Sequence, residues 1–126
     1  MSSPTARTLA WLREQGWDAD VVERWVPGAN VRRDFLGFAD ILAIRGEATL
    51  AVQACSATDV AKRVAKVRSS ATAPHWLASP ARKLWIVGWR KYAKRVDGRH
   101  WRPIVRELTG GAHQSKSGPI EDHPND

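Results

Sequence analysis

The segment from Phe38 to Cys55 constrains the fold more than any other part of the chain. Two apolar runs, 38–44 (Phe-Ala-Asp-Ile-Leu-Ala-Ile) and 48–55 (Ala-Thr-Leu-Ala-Val-Gln-Ala-Cys), meet across Arg45-Gly46-Glu47-Ala48. A glycine at the first central position of a two-residue turn supplies the positive φ of type II′, so the runs are expected to pair as an antiparallel hairpin. With Arg45 opposite Ala48, counting back sets Asp40 opposite Gln53 and Phe38 opposite Cys55. Side chains alternate faces along a strand, so Asp40, Gln53 and Cys55 share one face. Ile41, Ala43, Leu50, Val52 and Ala54 share the other, an apolar face suited to cover by a helix. A slip of one residue would exchange the two faces, so the arrangement depends on the turn type.

The flanking sequence supplies helices. Residues 5–15 read as one, with Ser3 or Thr5 as cap, Pro4 in the first turn, Leu9 and Leu12 as its stripe and Gly16 at its end. Residues 19–26 read as a first strand, followed by the loop 27–30. Ser56 opens a helix over 57–70, with Asp59 as a capping-box-like acid and Val60, Val64 and Val67 on its apolar stripe. Residues 71–82 read as a loop with a short turn around Trp76. A fourth strand is expected over 83–89, then a basic turn tipped by Asp97-Gly98, then a fifth strand over 100–108 that Pro103 marks as an edge. The reading is one α/β domain over 4–109, a central mixed sheet flanked by helices, with 110–126 as a disordered tail.

Charge is uneven along the chain. The net charge of +7 divides into −2 for residues 1–61, +12 for 62–106 and −3 for 107–126. A basic stretch with almost no compensating acid favours phosphate polymers as partners. The residues expected to touch nucleic acid are Lys62, Arg63, Lys66, Arg90, Lys91, Lys94, Arg95, Arg99 and Arg102, with Trp89 and Trp101 among them. The other tryptophans are expected in the core. One cysteine excludes an internal disulfide and a multi-cysteine zinc site. No apolar run is long enough to span a bilayer, and 1–8 lacks the apolar region of a secretory signal, so a reducing cytoplasmic setting is expected.

The hairpin also suggests chemistry. A carboxylate facing an amide oxygen across a strand pair suits a hard divalent cation such as Mg²⁺. Asp34, across Gly37 from Asp40, offers a second carboxylate or is a turn residue; Glu23 offers a third or simply faces solvent. Residues 32–56, Arg-Arg-Asp-Phe-Leu-Gly-Phe-Ala-Asp-Ile-Leu-Ala-Ile through Leu-Ala-Val-Gln-Ala-Cys-Ser, resemble the core of PD-(D/E)xK nucleases, most closely the small Holliday-junction-resolvase-like and phage members. The resemblance implies a restriction-endonuclease-like αβββαβ core and a Mg²⁺- or Mn²⁺-dependent phosphodiesterase. It places Asp40 on the metal-binding aspartate, Gln53 on the (D/E) position and Ser56 on the small hydroxyl residue that follows. Three positions depart from the family pattern. Cys55 occupies the lysine position, Gln53 replaces a carboxylate, and Arg7 stands where the early helix of the resolvases carries a glutamate. Lys62 and Arg63, on the next helix, are the candidate substitutes for the lysine, with Lys62 as the catalytic choice.

Two functions follow from these residues. The first is a metal-dependent DNA endonuclease, acting on branched or structured DNA, with Asp40, Gln53 and Asp34 at the metal and a homodimer where two cuts are needed. The second is a non-catalytic nucleic-acid-binding protein on a degenerate nuclease fold. A weaker third is a protein-interaction factor whose basic face meets an acidic partner.

Overall fold

A computed structural model describes residues 3–110 and the backbone of Asp122–His123. Helix α1 (Pro4–Glu14) is capped by Ser3, whose hydroxyl accepts from the Ala6 N–H at 3.1 Å. Pro4 sits in the first turn, where a missing N–H costs nothing, and Thr5 lies inside the helix. Strands β1 (Asp18–Val21), β2 (Arg24–Val26) and β3 (Val31–Arg33) follow. The strand expected over 19–26 is therefore two strands in two sheets. The break has a local cause: the N–H groups of Val22 and Glu23 both turn to the Asp40 carbonyl, at 2.8 and 3.3 Å. After them the chain leaves the main sheet, and β2 pairs antiparallel with β3 as a separate ribbon.

Strands β4 (Ile41–Arg45) and β5 (Ala48–Ser56) form the expected hairpin, paired from Arg45↔Ala48 to Ile41↔Val52. The positive φ of the turn falls on Gly46, at 60°. A single 3₁₀ turn, Ala57–Asp59, leads into helix α2 (Val60–Arg68). This helix is shorter than the 57–70 expected. Ser56 makes no side-chain cap; its hydroxyl pairs with that of Thr58 at 3.1 Å. The short turn near Trp76 is helix α3 (Ala73–Trp76). Strand β6 (Arg82–Val96) then runs parallel to β5, and β7 (Arg99–Leu108) returns antiparallel to β6. The segment expected as a basic turn, 90–96, continues β6 instead. The tip is as expected, with Asp97 at φ 52° and Gly98 at 75°, the two positive angles of a type I′ turn. Of the segment expected to be a disordered tail, Asp122–His123 forms β8 against Val105 and Arg106; 111–121 and 124–126 lie outside the described residues.

The result is an α/β fold with a mixed sheet, ordered β1-β4-β5-β6-β7-β8, flanked by helices. The two faces of the hairpin separate as the alternation requires. Ile41, Ala43, Leu50 and Val52 pack with Leu12 of α1, Trp17 and Val87. Phe38, Ala51 and Cys55 pack with Val60, Val64 and Val67 of α2 and with Leu84 and Ile86. Burying each of the large aliphatic side chains contributes about 1.5–3 kcal/mol, so both helices are held mainly by this contact. Gly88 on β6 lets α2 approach, since a Cβ there would run into Val60 and press on the Ala57 backbone. Among the described residues no helix is long and apolar enough to cross a membrane.

Candidate metal centre

Three strand registers converge on one place. Extending the β2–β3 pairing one step beyond Arg24↔Arg33 sets Glu23 opposite Asp34. A five-residue loop closes with the Phe35↔Ala39 bridge, its two hydrogen bonds measuring 2.8 and 3.1 Å, and one step outward sets Asp34 opposite Asp40. The loop can close so tightly because Leu36 and Gly37 take φ 54° and 82°. Asp40 stands just before the Ile41↔Val52 pair, where its N–H donates to the Val52 carbonyl at 2.8 Å and its carboxylate accepts from Ala54, which sets it beside Gln53. The carboxylates of Glu23, Asp34 and Asp40 accordingly offer oxygens that all lie within 4.8 Å of one another.

Each group is fixed by a neighbour. Asp40 is buried, and one of its oxygens accepts the Ala54 N–H at 2.8 Å. Gln53 is fully buried. Its amide nitrogen donates to Asp34 at 3.3 Å, and its oxygen accepts from Arg63 at 2.8 Å and from Lys66 at 3.4 Å. The Lys66 ammonium also sits 3.2 Å from Asp34. These contacts separate the two aspartates electrically. Burial, followed by the hydrogen bond and charge of Asp34 and the charge of Glu23, raises the Asp40 carboxyl to about 7, against the opposing Ala54 N–H. Burial alone would also raise Asp34, but hydrogen bonds from Asp40, Lys66 and Gln53 hold its carboxyl below the usual range. Without a cation, protonation of Asp40 relieves the repulsion between the two carboxylates.

The arrangement meets some expectations and revises others. Asp34, Asp40 and Gln53 are brought together, and Glu23 joins them. Gln53 does not present an oxygen to the acids; two cations attract that oxygen, and the NH₂ faces Asp34. Arg63 reaches the cluster, whereas Lys62 is exposed on α2, and the lysine that arrives is Lys66, one helical turn later. Residues 63 and 66 are one i+3 step apart, so their side chains lie side by side on the helix, and both reach the Gln53 oxygen. Cys55 is buried, and burial pushes its thiol up to about 11, so it serves as a small apolar group. Arg7 lies across the sheet from the acids, with its guanidinium 3.6 Å from the centre of the Trp101 ring.

The basic residues divide between α2 and the β6–β7 hairpin. Arg90, Lys91, Lys94 and Arg95 are exposed on its outer part. Arg99 is tied to Glu14 at 3.0 Å, and Arg102 lies 5.7 Å from the Tyr92 ring. Trp89 is buried and donates to the Thr8 hydroxyl at 2.9 Å, so it is core rather than contact surface. Trp101 is half-buried beneath Arg7. This arm leaves the same end of the sheet as the acids, since Ser56, three residues past Gln53, pairs with Trp89 and the arm starts at Arg90. The reading of 19–26 as one strand conceals the β2–β3 ribbon; Pro27-Gly28 and Asn30 are its turn signal.

No protein-family model, curated protein or solved structure matches the chain.

Proposed function

We propose that the chain is a divalent-metal-dependent DNA endonuclease that hydrolyses phosphodiesters, with branched or structured DNA as substrate. One observation carries this reading: the oxygens of Glu23, Asp34 and Asp40 lie within 4.8 Å of one another, with the Lys66 ammonium 3.2 Å from Asp34. Carboxylates set so close repel unless a proton or a cation lies among them, and an all-oxygen donor set suits Mg²⁺ or Mn²⁺. When bound, such an ion supplies an activated water and a Lewis acid for the phosphoryl oxygen. The chain supplies the rest. Ala54 holds Asp40 in place through its N–H. Gln53 is a positioning residue that links Asp34 to Arg63 and Lys66. Lys66 supplies the positive charge that the motif carries two residues after Gln53, and stabilises negative charge developing on the phosphate. The exposed cations of α2 and the β6–β7 arm hold the DNA backbone without reading its sequence.

The order of elements supports the finer fold reading, a restriction-endonuclease-like core. A helix precedes three antiparallel strands, β1, β4 and β5, and a second helix leads to a fourth strand parallel to the third.

The test is cleavage of supercoiled and branched DNA with Mg²⁺ or Mn²⁺. Asp40→Asn is the informative variant, because an amide oxygen still accepts from Ala54. Its cleavage is expected to fall by about 100-fold or more. Equal cleavage by the variant overturns the role of Asp40. The orientation of the Gln53 amide, nitrogen toward Asp34, favours a second reading as a non-catalytic nucleic-acid-binding protein. Salt-sensitive DNA binding with no metal-dependent turnover would select it.

A further inference from the structure

The β2–β3 ribbon and its turn, residues 24–33, carry three arginines and no acidic residue. Trp25 on it is 54% exposed. The other tryptophans are accounted for by packing. Trp11, Trp17, Trp85 and Trp89 form ring contacts with one another, Trp76 packs on Phe35 and Phe38, and Trp101 lies under Arg7. A solvent-facing indole on a cationic ribbon therefore needs its own explanation.

The ribbon register supplies one. Pairing of Trp25 with Arg32 puts both on one face, while Arg24 and Arg33 lie on the other. The next residues on the Trp25 face are Glu23 and Asp34, two of the three carboxylates. Arg32 bridges this step with a 3.3 Å contact to Glu23. Trp25 thus stands about 7 Å from the acids along one continuous strand face, at roughly 3.3 Å per residue. The basic β6–β7 arm leaves the same end of the sheet on the other side of the acids.

We propose that the β2–β3 ribbon is a stacking platform for an unpaired nucleotide beside the phosphate held at the carboxylates, with the base on Trp25 and a neighbouring phosphate on Arg32, which shares its face. The part about the held phosphate rests on the nuclease reading; the stacking does not. The platform narrows the substrate class to nucleic acid with unpaired nucleotides at the cut: single strands, overhangs or flaps. The physical reason is access. A paired base inside a duplex offers only its edges in the grooves, because its faces are covered by its neighbours. An unpaired base offers the whole face, and any base can stack.

The test measures metal-free binding by fluorescence anisotropy, in EDTA at low salt. Probes are a labelled single-stranded oligonucleotide, the same strand in a blunt duplex, and a duplex with an overhang. Wild type is expected to prefer the single strand and the overhang. Trp25→Ala should weaken binding to those two by about 10- to 100-fold and leave the blunt duplex within about twofold. Trp25→Phe should restore most of the loss, since it keeps an aromatic face. Circular dichroism melting of both variants should match wild type because the side chain is exposed. Equal loss on all three probes, no loss, preference for the blunt duplex, or no binding to any probe overturns the proposal. The two readings fail separately. Trp25-dependent binding without cleavage retires the nuclease and keeps the platform. Metal-dependent cleavage of an overhang by Trp25→Ala at the wild-type rate retires the platform and keeps the nuclease.

Discussion

Asp40 is held by two opposing influences: the Ala54 N–H favours its charge, while burial and the neighbouring Asp34 and Glu23 oppose it. Its folded value of about 7 lies above the 3.8 of an ordinary aspartate, so the native state holds a proton that the unfolded chain releases. Stability in EDTA should therefore fall as pH rises through that interval, by at most about 1.4 kcal/mol per pH unit. Asp34 has the opposite sign: its depressed value adds stability above the usual carboxylate range, and this is lost as pH falls below it. Thermal melts of Asp40→Asn against wild type isolate the first effect; the variant curve should be flatter between about pH 4 and about pH 7. Added Mn²⁺ should raise the wild-type melting temperature most at the high end, where it has no proton to displace. Lys66 and Lys62 provide a second comparison. Lys66→Ala should lower cleavage by about 100-fold, whereas Lys62→Ala should change it by less than about threefold, read from initial rates on supercoiled DNA. The sequence alone points to Lys62; the contacts of Lys66 with Asp34 and Gln53 decide for Lys66.

At the level of elements, the hairpin is legible in the sequence because its turn glycine and its alternation agree. The segment 19–26 is not, because Ala-Asp-Val-Val-Glu-Arg-Trp-Val holds no glycine or proline to mark where the strand changes partner. That change is set by Asp40, whose carbonyl accepts from both Val22 and Glu23. The basic run 90–96 also misleads as a turn: Gly98 fixes the tip, and the strands reach it from both sides by pairing Val96 with Arg99. The packing of α2 on β6 depends on Gly88. Gly88→Ala should destabilise by about 1–3 kcal/mol in urea unfolding, because Val60 and the Ala57 backbone must move. On the opposite face, Thr8 accepts from Trp89 and donates to the Pro4 carbonyl at 2.8 Å. Thr8→Val keeps the shape but leaves the buried indole N–H unpaired, at a cost of about 1–3 kcal/mol.

Across the whole molecule, the +12 of residues 62–106 is divided between α2, where Arg63 and Lys66 turn inward to the acid cluster, and the β6–β7 arm, which carries its cations outward. The arm should supply most of the electrostatic part of DNA binding. Replacing Lys91, Lys94 and Arg95 together by alanine should reduce the slope of log K against log salt by up to about 0.9 for each phosphate no longer neutralised, with little change in melting temperature. The sequence by itself determined the hairpin register, the two apolar faces, the two helices that cover them and the place of Asp40, because these follow from local periodicity and turn chemistry. It also determined that positive charge concentrates after residue 61. Only the tertiary structure decided that Glu23 and Asp34 join Asp40, that Lys66 rather than Lys62 reaches them, and that Trp25 stands out on the ribbon. Those placements depend on three separate registers meeting at one end of the sheet, and no local pattern encodes where distant strands converge.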